Sequence, residues 1–571
     1  MESHIGAWDY VVIVGVLAIS SMIGIYYRFT GGKQKTTREY LLADKNMSIA
    51  PVAFSLMASF MSAITLMGVS SENYTYGLQF IVINISYGLF TPVAAYLYLP
   101  VFFKLQATSA YEYLELRFGK TARLAASLSY NLQMTLYMSI VLYAPALVIE
   151  ALMGVSKVAA ILAVGLVCTF YSTLGGMKAV LITDVFQSIL MFVAIFCVII
   201  HAWIDKGSLG AIMNIAAEGN RTSFWNFNPD PTVRHSWFSL ILGGGITYLS
   251  IYAVNQVQVQ RYLTLKDVKR AQMALWWNWP ILTALSLCTS FAGLAIYSRY
   301  YSCDPVLSKQ IGQPDQLMPY YVVDTMGNIP GLTGLFISGI FSASLSTISA
   351  ALNSLAAVTM EDYVKPIYFL IRKKPLPESS ATIQTKIISF IYGLVCLSVA
   401  FLGQYVGGLL QAALTIFGVI GGPLLGFFTL GMFTTVAEEK GSVLGLICGI
   451  SMSSWMAIGS KPPVPLPRRT DGCDSFNITN IITSNATSKD PGEYLWIHRV
   501  SYLYNGLFGI IVTLVVGYVI SFAFQKLSNQ KPNQTLDPNL FIPPLAKRLR
   551  KKNGDSFHLN SIIPNGSKDI Y

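Results

Sequence analysis

The sequence predicts an all-α polytopic membrane protein. Three observations carry that reading. The 571-residue chain is 53% hydrophobic and only 12% charged, about half the charge of an ordinary soluble domain. Apolar stretches of spanning length recur from end to end, and lipid offers their backbone no partner outside its own helix. The short alternating segments of a membrane barrel are absent.

About 13 spans can be read in order, near 9–27, 49–72, 79–103, 124–152, 157–175, 179–204, 237–262, 274–298, 331–362, 383–404, 408–436, 441–460 and 500–524. The first follows Glu2 and has no basic leader, so it reads as a retained signal anchor. Lysine and arginine set the orientation. With the N-terminus outside, 28 of the 39 basic residues fall in inner loops and the tail, as the positive-inside rule requires. The net charge of +11 is thus a topology signal. Its spread over many loops argues against nucleic acid as a partner.

Sequons at Asn220, Asn477 and Asn485 lie in the two longer outer loops and are candidate glycosylation sites. Asn533 and Asn565 also match, but in the inner tail. Five of the seven cysteines lie within spans, where the bland reading is a small buried residue. Cys303 and Cys473 both lie in outer loops, where a disulfide is allowed. The five histidines have no metal-ligand spacing, and there is no CxxC, nucleotide-binding loop or nucleophile elbow. Nothing suggests an enzyme or an ATP-driven pump.

Polar groups inside spans are costly, so function should show there. Ser338 to Met360 is uncharged yet holds eight hydroxyls, over ~34 Å of helix against ~30 Å of hydrocarbon. Ser342, Ser346, Ser349 and Asn353 share one face of it. Such oxygens suit a weakly held monovalent cation; equally, small side chains suit helix packing. Two spans look broken. One carries Ser59 to Glu72; the other carries Gly243 to Ser250 followed by Asn255-Gln256. If spans 2–6 and 7–11 form two five-helix repeats, each break opens its repeat. Paired interruptions of this kind mark the midplane site of a secondary transporter, although glycine and serine also simply permit close packing. Asp184 is the carboxylate clearly inside a span, and Gln187 shares its face. The pair reads either as part of a cation path or as a helix-start acid favoured by the dipole.

Several runs together resemble the sodium:solute symporters, in the branch of monocarboxylate, multivitamin and iodide carriers. They are Ser59 to Ala63, Tyr143 to Leu147, Gly175 to Val180, Thr183 to Gln187, Asn255 to Tyr262, Ser344 to Pro366 and Gly422 to Gly426. The resemblance covers roughly residues 5–525. It implies a leucine-transporter-type core, a 5+5 inverted repeat, within about 13 transmembrane helices. The implied division is a first span at 1–27, repeats at 49–204 and 237–436, and two accessory spans at 437–525; residues 526–571, polar and rich in proline and asparagine, read as a disordered cytoplasmic tail.

The resemblance also assigns residues. The hydroxyls of Ser346 and Thr347 and the carbonyl of Ala343 are implied sodium ligands, with carbonyls from the break in span 2. Ser59, Ser62, Asp184, Gln187 and Gln256 match positions tied to sodium. Thr65, Tyr137, Phe60, Tyr248 and Leu414 form the implied substrate set. Na+ is the one metal ion expected, as a co-transported ion. Two departures stand out: Ser70-Ser71-Glu72 lacks the usual proline, and Tyr74-Thr75-Tyr76-Gly77 lacks the usual arginine of an outer gate.

The expected function is sodium-coupled import of a small organic anion across the plasma membrane. Monocarboxylates such as lactate, pyruvate, short-chain fatty acids or nicotinate come first. A vitamin acid (biotin, pantothenate) or an iodide-like anion is the alternative, and a sodium-dependent sensor or leak channel is the alternative of another class. No lysine or arginine is expected at mid-span in the core, so the anion would rest on bound sodium, helix dipoles and the hydroxyls of Thr65 and Tyr137. The basic run Lys547 to Lys552 suits anionic lipid, and the terminal Asp569-Ile570-Tyr571 is a weak candidate for a PDZ-domain partner.

Overall fold

The structure, a computed structural model, describes residues 6–29, 41–105, 108–174, 176–405, 407–460, 464–473, 495–527 and 536–553. Every regular element among these residues is helical. The chain opens with α1 (Ala7–Phe29) and then the broken pair α2 (Ile49–Ala58) and α3 (Ala63–Tyr76). A third crossing runs through α4 (Ile83–Val93) and α5 (Leu99–Leu105), and a short α6 (Glu112–Arg117) follows. Next come α7 (Lys120–Met153), α8 (Lys157–Leu174), α9 (Met177–Lys206) and α10 (Leu209–Glu218).

The second broken pair is α11 (Gly244–Tyr252) and α12 (Gln256–Tyr262). It leads to α13 (Val268–Arg299), α14 (Leu317–Met326), α15 (Leu332–Thr359) and α16 (Lys365–Arg372). The rest is α17 (Glu378–Ala400), α18 (Leu409–Ile416), α19 (Gly422–Phe433), α20 (Glu439–Ile458), α21 (Tyr504–Leu527) and α22 (Pro543–Asn553). Nine helical stretches among the described residues are long and apolar enough to cross a membrane, or eleven with each bent pair taken as one span. Ala7–Ile23 and Lys157–Phe170, where spans 1 and 5 were expected, are shorter apolar helices.

The core is built round the broken pairs. α2 packs on α9 and α13, α3 on α13, and α15 on α7 and α9. Gly293 of α13 permits the contact with α3, because a Cβ there would stand 2.3 Å from the Ser70 carbonyl oxygen. Four wide π turns interrupt the helices, at Ala94–Tyr98, Ser239–Gly243, Met360–Val364 and Phe417–Gly421.

The two breaks bend their spans by 57° and 58°. The first is confined to Ser59 through Ser62, tighter than the polar run suggested. The second lies at Ala253 to Asn255, not at the glycines. Gly244 and Gly245 are helical, and there they let α11 approach α4: a Cβ would stand 2.8 Å from Ile83 Cγ1 and 2.2 Å from Phe90 Cε2, respectively.

Cys303 and Cys473 are joined, with Cα atoms 5.0 Å apart. Asn220 is exposed, at φ 59°. Asn477, Asn485 and the terminal tripeptide lie outside the described residues. Part of the tail departs from the expected disorder: residues 536–553 are ordered, with Leu540, Phe541 and Ala546 buried against the bundle.

Candidate functional site

α2 ends at Ala58, so that carbonyl leaves the helical ladder. The hydroxyl of Thr347 on α15 meets it at 3.2 Å and also reaches the Ala343 carbonyl at 3.1 Å. Three neutral oxygens thus converge between the first break and α15. Uncharged oxygens of this kind replace a cation's hydration without holding it too firmly. Ser346, one residue away, donates from its hydroxyl to Asp184 Oδ1 at 2.6 Å. A carboxylate therefore stands one hydrogen bond from this cluster. Gln187 is buried on the same helix as Asp184, and neither atom of its amide has a hydrogen-bond partner among the described residues. A buried orphan amide fits a visiting ion or water.

Asp184 has a partner that the sequence reading missed. Arg261 on α12 is fully buried and places Nη2 3.4 Å from Asp184 Oδ2. Its Nε donates to Ser55 Oγ at 2.8 Å and its Nη1 to the Val257 carbonyl at 2.8 Å. Ser55 in turn donates to Asp184. One network thus joins α2, α9, α12 and α15. Arg261 stands one residue from the end of the expected span at 237–262, where a cation reads as part of the inner basic loop. Three of its donors are thus directed at Ser55, Val257 and Asp184.

A small cavity lies beside both breaks. Ser59, Phe60, Met134, Tyr137, Ile251, Asn255, Val257, Gln258 and Phe417 line it. Tyr137 donates to the Phe60 carbonyl at 3.3 Å and lies 3.5 Å from Ser62 Oγ. Ser62 caps α3 by accepting from the Ile64 N–H. The lining is apolar and aromatic with a few neutral polar atoms, the pattern of a small-ligand site, and it holds no lysine or arginine.

Three members of the expected substrate set are absent from that lining. Thr65 follows the break on α3, Leu414 precedes Phe417 on α18, and these two helices pack together, so both sit about a turn outward of the cavity. Tyr248 bonds Thr91 at 2.8 Å and stacks between Tyr87 and Tyr252. Gln256 is also elsewhere: its amide accepts from the Ala110 N–H at 2.7 Å and donates to the Thr108 carbonyl at 2.8 Å. It braces the loop before α6 and has no contact with the Thr347 cluster. Ser59 lines the cavity while donating to the Ser55 carbonyl.

An arginine from the loop before the second broken span lies against the end of α3. Arg234 grips Glu72 at 2.8 and 3.1 Å, reaches Gln411 Oε1 on α18 at 2.9 Å, and lies between the rings of Tyr76 and Tyr502 at 4.2 and 4.7 Å. His235 Nε2 stands 3.1 Å from Glu72, and burial holds its imidazole below the ordinary pKa against the pull of that carboxylate. At the opposite end, Arg123 clamps Asp362 at 2.5 Å and Glu115 at 2.7 Å. An ion-paired cluster thus stands towards each end of the bundle.

Comparison with known proteins agrees with this geometry. A putative sodium-dependent multivitamin transporter of Drosophila melanogaster is 54% identical over 96% of this chain and 93% of its own. Human sodium-coupled monocarboxylate transporter 1 is 44% identical over 94% of this chain and 89% of its own. The substrate-bound, outward-open structure of a Na+-coupled sialic acid symporter superposes with a TM-score of 0.73 over 90% of this chain and 98% of that one, at 23% identity, and so shares the fold. The family model for the sodium:solute symporter family matches residues 40–449. The chain therefore belongs to the sodium:solute symporter family and is a sodium-coupled solute symporter.

Proposed function

We propose that this symporter imports small monocarboxylates, with sodium bound at Ala58, Ala343, Ser346 and Thr347, and Asp184 supporting it through Ser346. The observation that carries the reading is the cavity wall: Phe60, Tyr137, Phe417 and neutral amides, with no cation among them. A carboxylate entering such a wall needs a bound cation nearby, and the Thr347 cluster lies at the same break. That arrangement makes each ligand favour the other, which is what coupling requires. The gradient is adequate. At ~60 mV and a tenfold difference, each sodium supplies ~2.8 kcal/mol.

We further infer that the end rich in lysine and arginine faces the cytoplasm of a plasma-membrane carrier and that Asn220 is glycosylated outside. The Cys303–Cys473 bond, near the opposite end, supports this orientation.

A second reading, a vitamin acid such as biotin or pantothenate, draws support from the 54% identical relative. The two share the carboxylate and differ in bulk. Uptake of labelled lactate, nicotinate, biotin and pantothenate, with sodium and with choline replacing it, separates them. Sodium-dependent lactate uptake with none of biotin is the expected result; the reverse would overturn the monocarboxylate assignment.

A further inference from the structure

Residues 536–553 form a strap across the end of the bundle that bears Arg123. A turn at Pro538–Leu540 packs on α5 and α6. The Tyr113 hydroxyl of α6 donates to the Leu540 carbonyl at 3.1 Å, and the Ile542 N–H donates to the Met432 carbonyl of α19 at 3.2 Å. Phe541 is fully buried, with the Arg117 guanidinium 5.1 Å from its ring centre. The same Arg117 donates to the carbonyls of Gly431 at 3.1 Å and Thr434 at 2.9 Å. The strap, α6 and the end of α19 are thus held by one guanidinium. α6 leads directly into α7, whose Arg123 clamps Asp362.

α22 turns two unlike faces to its surroundings. Ile542, Leu545, Ala546 and Leu549 follow the i, i+3, i+4, i+7 pattern of an inward face and are buried or half-buried. Lys547, Arg548, Arg550 and Lys551 are exposed. Lys104, at the end of the α4–α5 crossing, lies within electrostatic reach of Arg550. Asp537, the strap's acid, is occupied in capping the Asn539 N–H at 2.9 Å. The height of the bilayer surface at this end is marked independently by α16. Ile367, Leu370 and Ile371 are exposed there at 54, 68 and 71%, followed at once by Arg372, Lys373 and Lys374. Exposed apolar residues followed by a basic run are the pattern of a helix end at the lipid interface. The two features belong to one end, since Asp362 just before α16 pairs with Arg123 just after α6.

We propose that α22 is a lipid-reading brace. The strap it ends fastens α6 to α19 through Leu540, Phe541 and Ile542, and its basic face binds the phosphate-bearing anionic headgroups of the adjoining leaflet. The basic face stands where such headgroups would lie, and each basic residue near an anionic surface adds to the attraction. Headgroup binding then steadies α6 beside the Arg123–Asp362 clamp.

Hydrogen exchange on the full-length protein in nanodiscs tests this. Discs of phosphatidylcholine alone are compared with discs that also contain phosphatidylserine. Exchange in residues 543–551 should slow by ~tenfold or more in the anionic discs, and exchange in 112–117 should fall with it. Both effects should vanish at about 0.5 M salt, where screening is short-ranged. They should also vanish in the variant Lys547→Gln/Arg548→Gln/Arg550→Gln/Lys551→Gln and persist in Lys547→Arg/Lys551→Arg. Equal exchange in the two discs, or a glutamine variant that keeps the difference, overturns lipid reading. Protection by soluble inositol hexakisphosphate in neutral discs, with none from phosphatidylserine, assigns the face to a soluble polyanion and overturns it as well. Protection of 543–551 without any change in 112–117 overturns the brace.

Discussion

The two broken spans bend by nearly the same angle and do different work. The α2–α3 break presents oxygens: the Ala58 carbonyl meets Thr347 and the Phe60 carbonyl meets Tyr137. The α11–α12 break lends Asn255, Val257 and Gln258 to the cavity wall, but its amides mostly hold neighbouring backbone. Asn255 accepts from the Val257 N–H, Gln256 holds the loop at 108–110, Gln258 donates to the Leu56 carbonyl at 3.3 Å, and Gln260 to the Leu41 carbonyl at 2.9 Å. The second half-helix is therefore a set of struts that positions the first. At a similar bend angle, the first break turns backbone carbonyls towards Thr347 and Tyr137, while the second spends its side-chain amides on neighbouring backbone.

Four variants can break or sharpen that contrast. The largest effect is expected at Arg261. Arg261→Ala leaves Asp184 buried without its cation, at a cost of about 3–5 kcal/mol, so surface expression and uptake should both be lost. The double variant Asp184→Asn/Arg261→Gln should restore expression by surface biotinylation without restoring sodium dependence. If Arg261→Ala is expressed and transports normally, the struts do not carry the site.

Thr347→Ala removes an oxygen from the first break. The sodium half-saturation constant should rise roughly 5- to 150-fold, from ~1–3 kcal/mol, with expression kept, and Ser346→Ala should shift it in the same direction. Unchanged sodium dependence in both would remove the ligand role from the first break.

Gln256→Leu probes the strut alone. It strands the buried Ala110 N–H, so the melting temperature should drop by a few degrees. Sodium half-saturation should stay within twofold, about 0.4 kcal/mol. A large sodium shift would put the second break among the ligands after all.

The smallest effect concerns Asp315, whose carboxylate accepts from the Leu409 N–H at 3.1 Å at the start of α18, the helix that leans on α3. Burial pushes its pKa up to about 6. The folded state therefore binds this proton more tightly than the unfolded one. Its contribution is most favourable below about pH 4, the unfolded carboxylate range, and is lost as pH rises through about 6. Asp315→Asn should melt a few degrees above the parent at pH 7.5 and match it at pH 4. Equal melting at both pH values would show that α18 does not load the outer half of the first break through this carboxylate.

Much of this was legible in the sequence. Composition and span length gave the class, and the Ser338–Met360 hydroxyls drew attention to α15, because uncharged oxygens are conspicuous in an apolar helix; Thr347 itself came from the family resemblance. The misplaced second break had a physical cause. Gly244 and Gly245 read equally well as a hinge and as a close helix contact, and only the neighbours Ile83 and Phe90 decide. Arg261 was hidden by its place at the very end of that span, where a cation reads as a loop residue. Arg234 was hidden differently. It comes from a loop more than 150 residues beyond Glu72, and no local pattern announces such a pairing. The tail misled because its proline- and asparagine-rich composition outweighed one four-residue apolar face, which gains its value only from a surface to dock on.

The π turn at Phe417–Gly421 fixes a counting problem along its span. An α-helix advances 100° per residue, so one additional residue in a wide turn swings everything beyond it to a new heading without bending the axis. Phe417 can thus face the cavity while Gly421 meets Gln133 and Ser250, and Gly422 meets the Gly506 backbone. The aromatic wall and the seat for α21 are therefore set by the number of residues between them as much as by their identities. Deleting one residue from the turn would leave every other side chain unchanged and still point one of those two surfaces the wrong way.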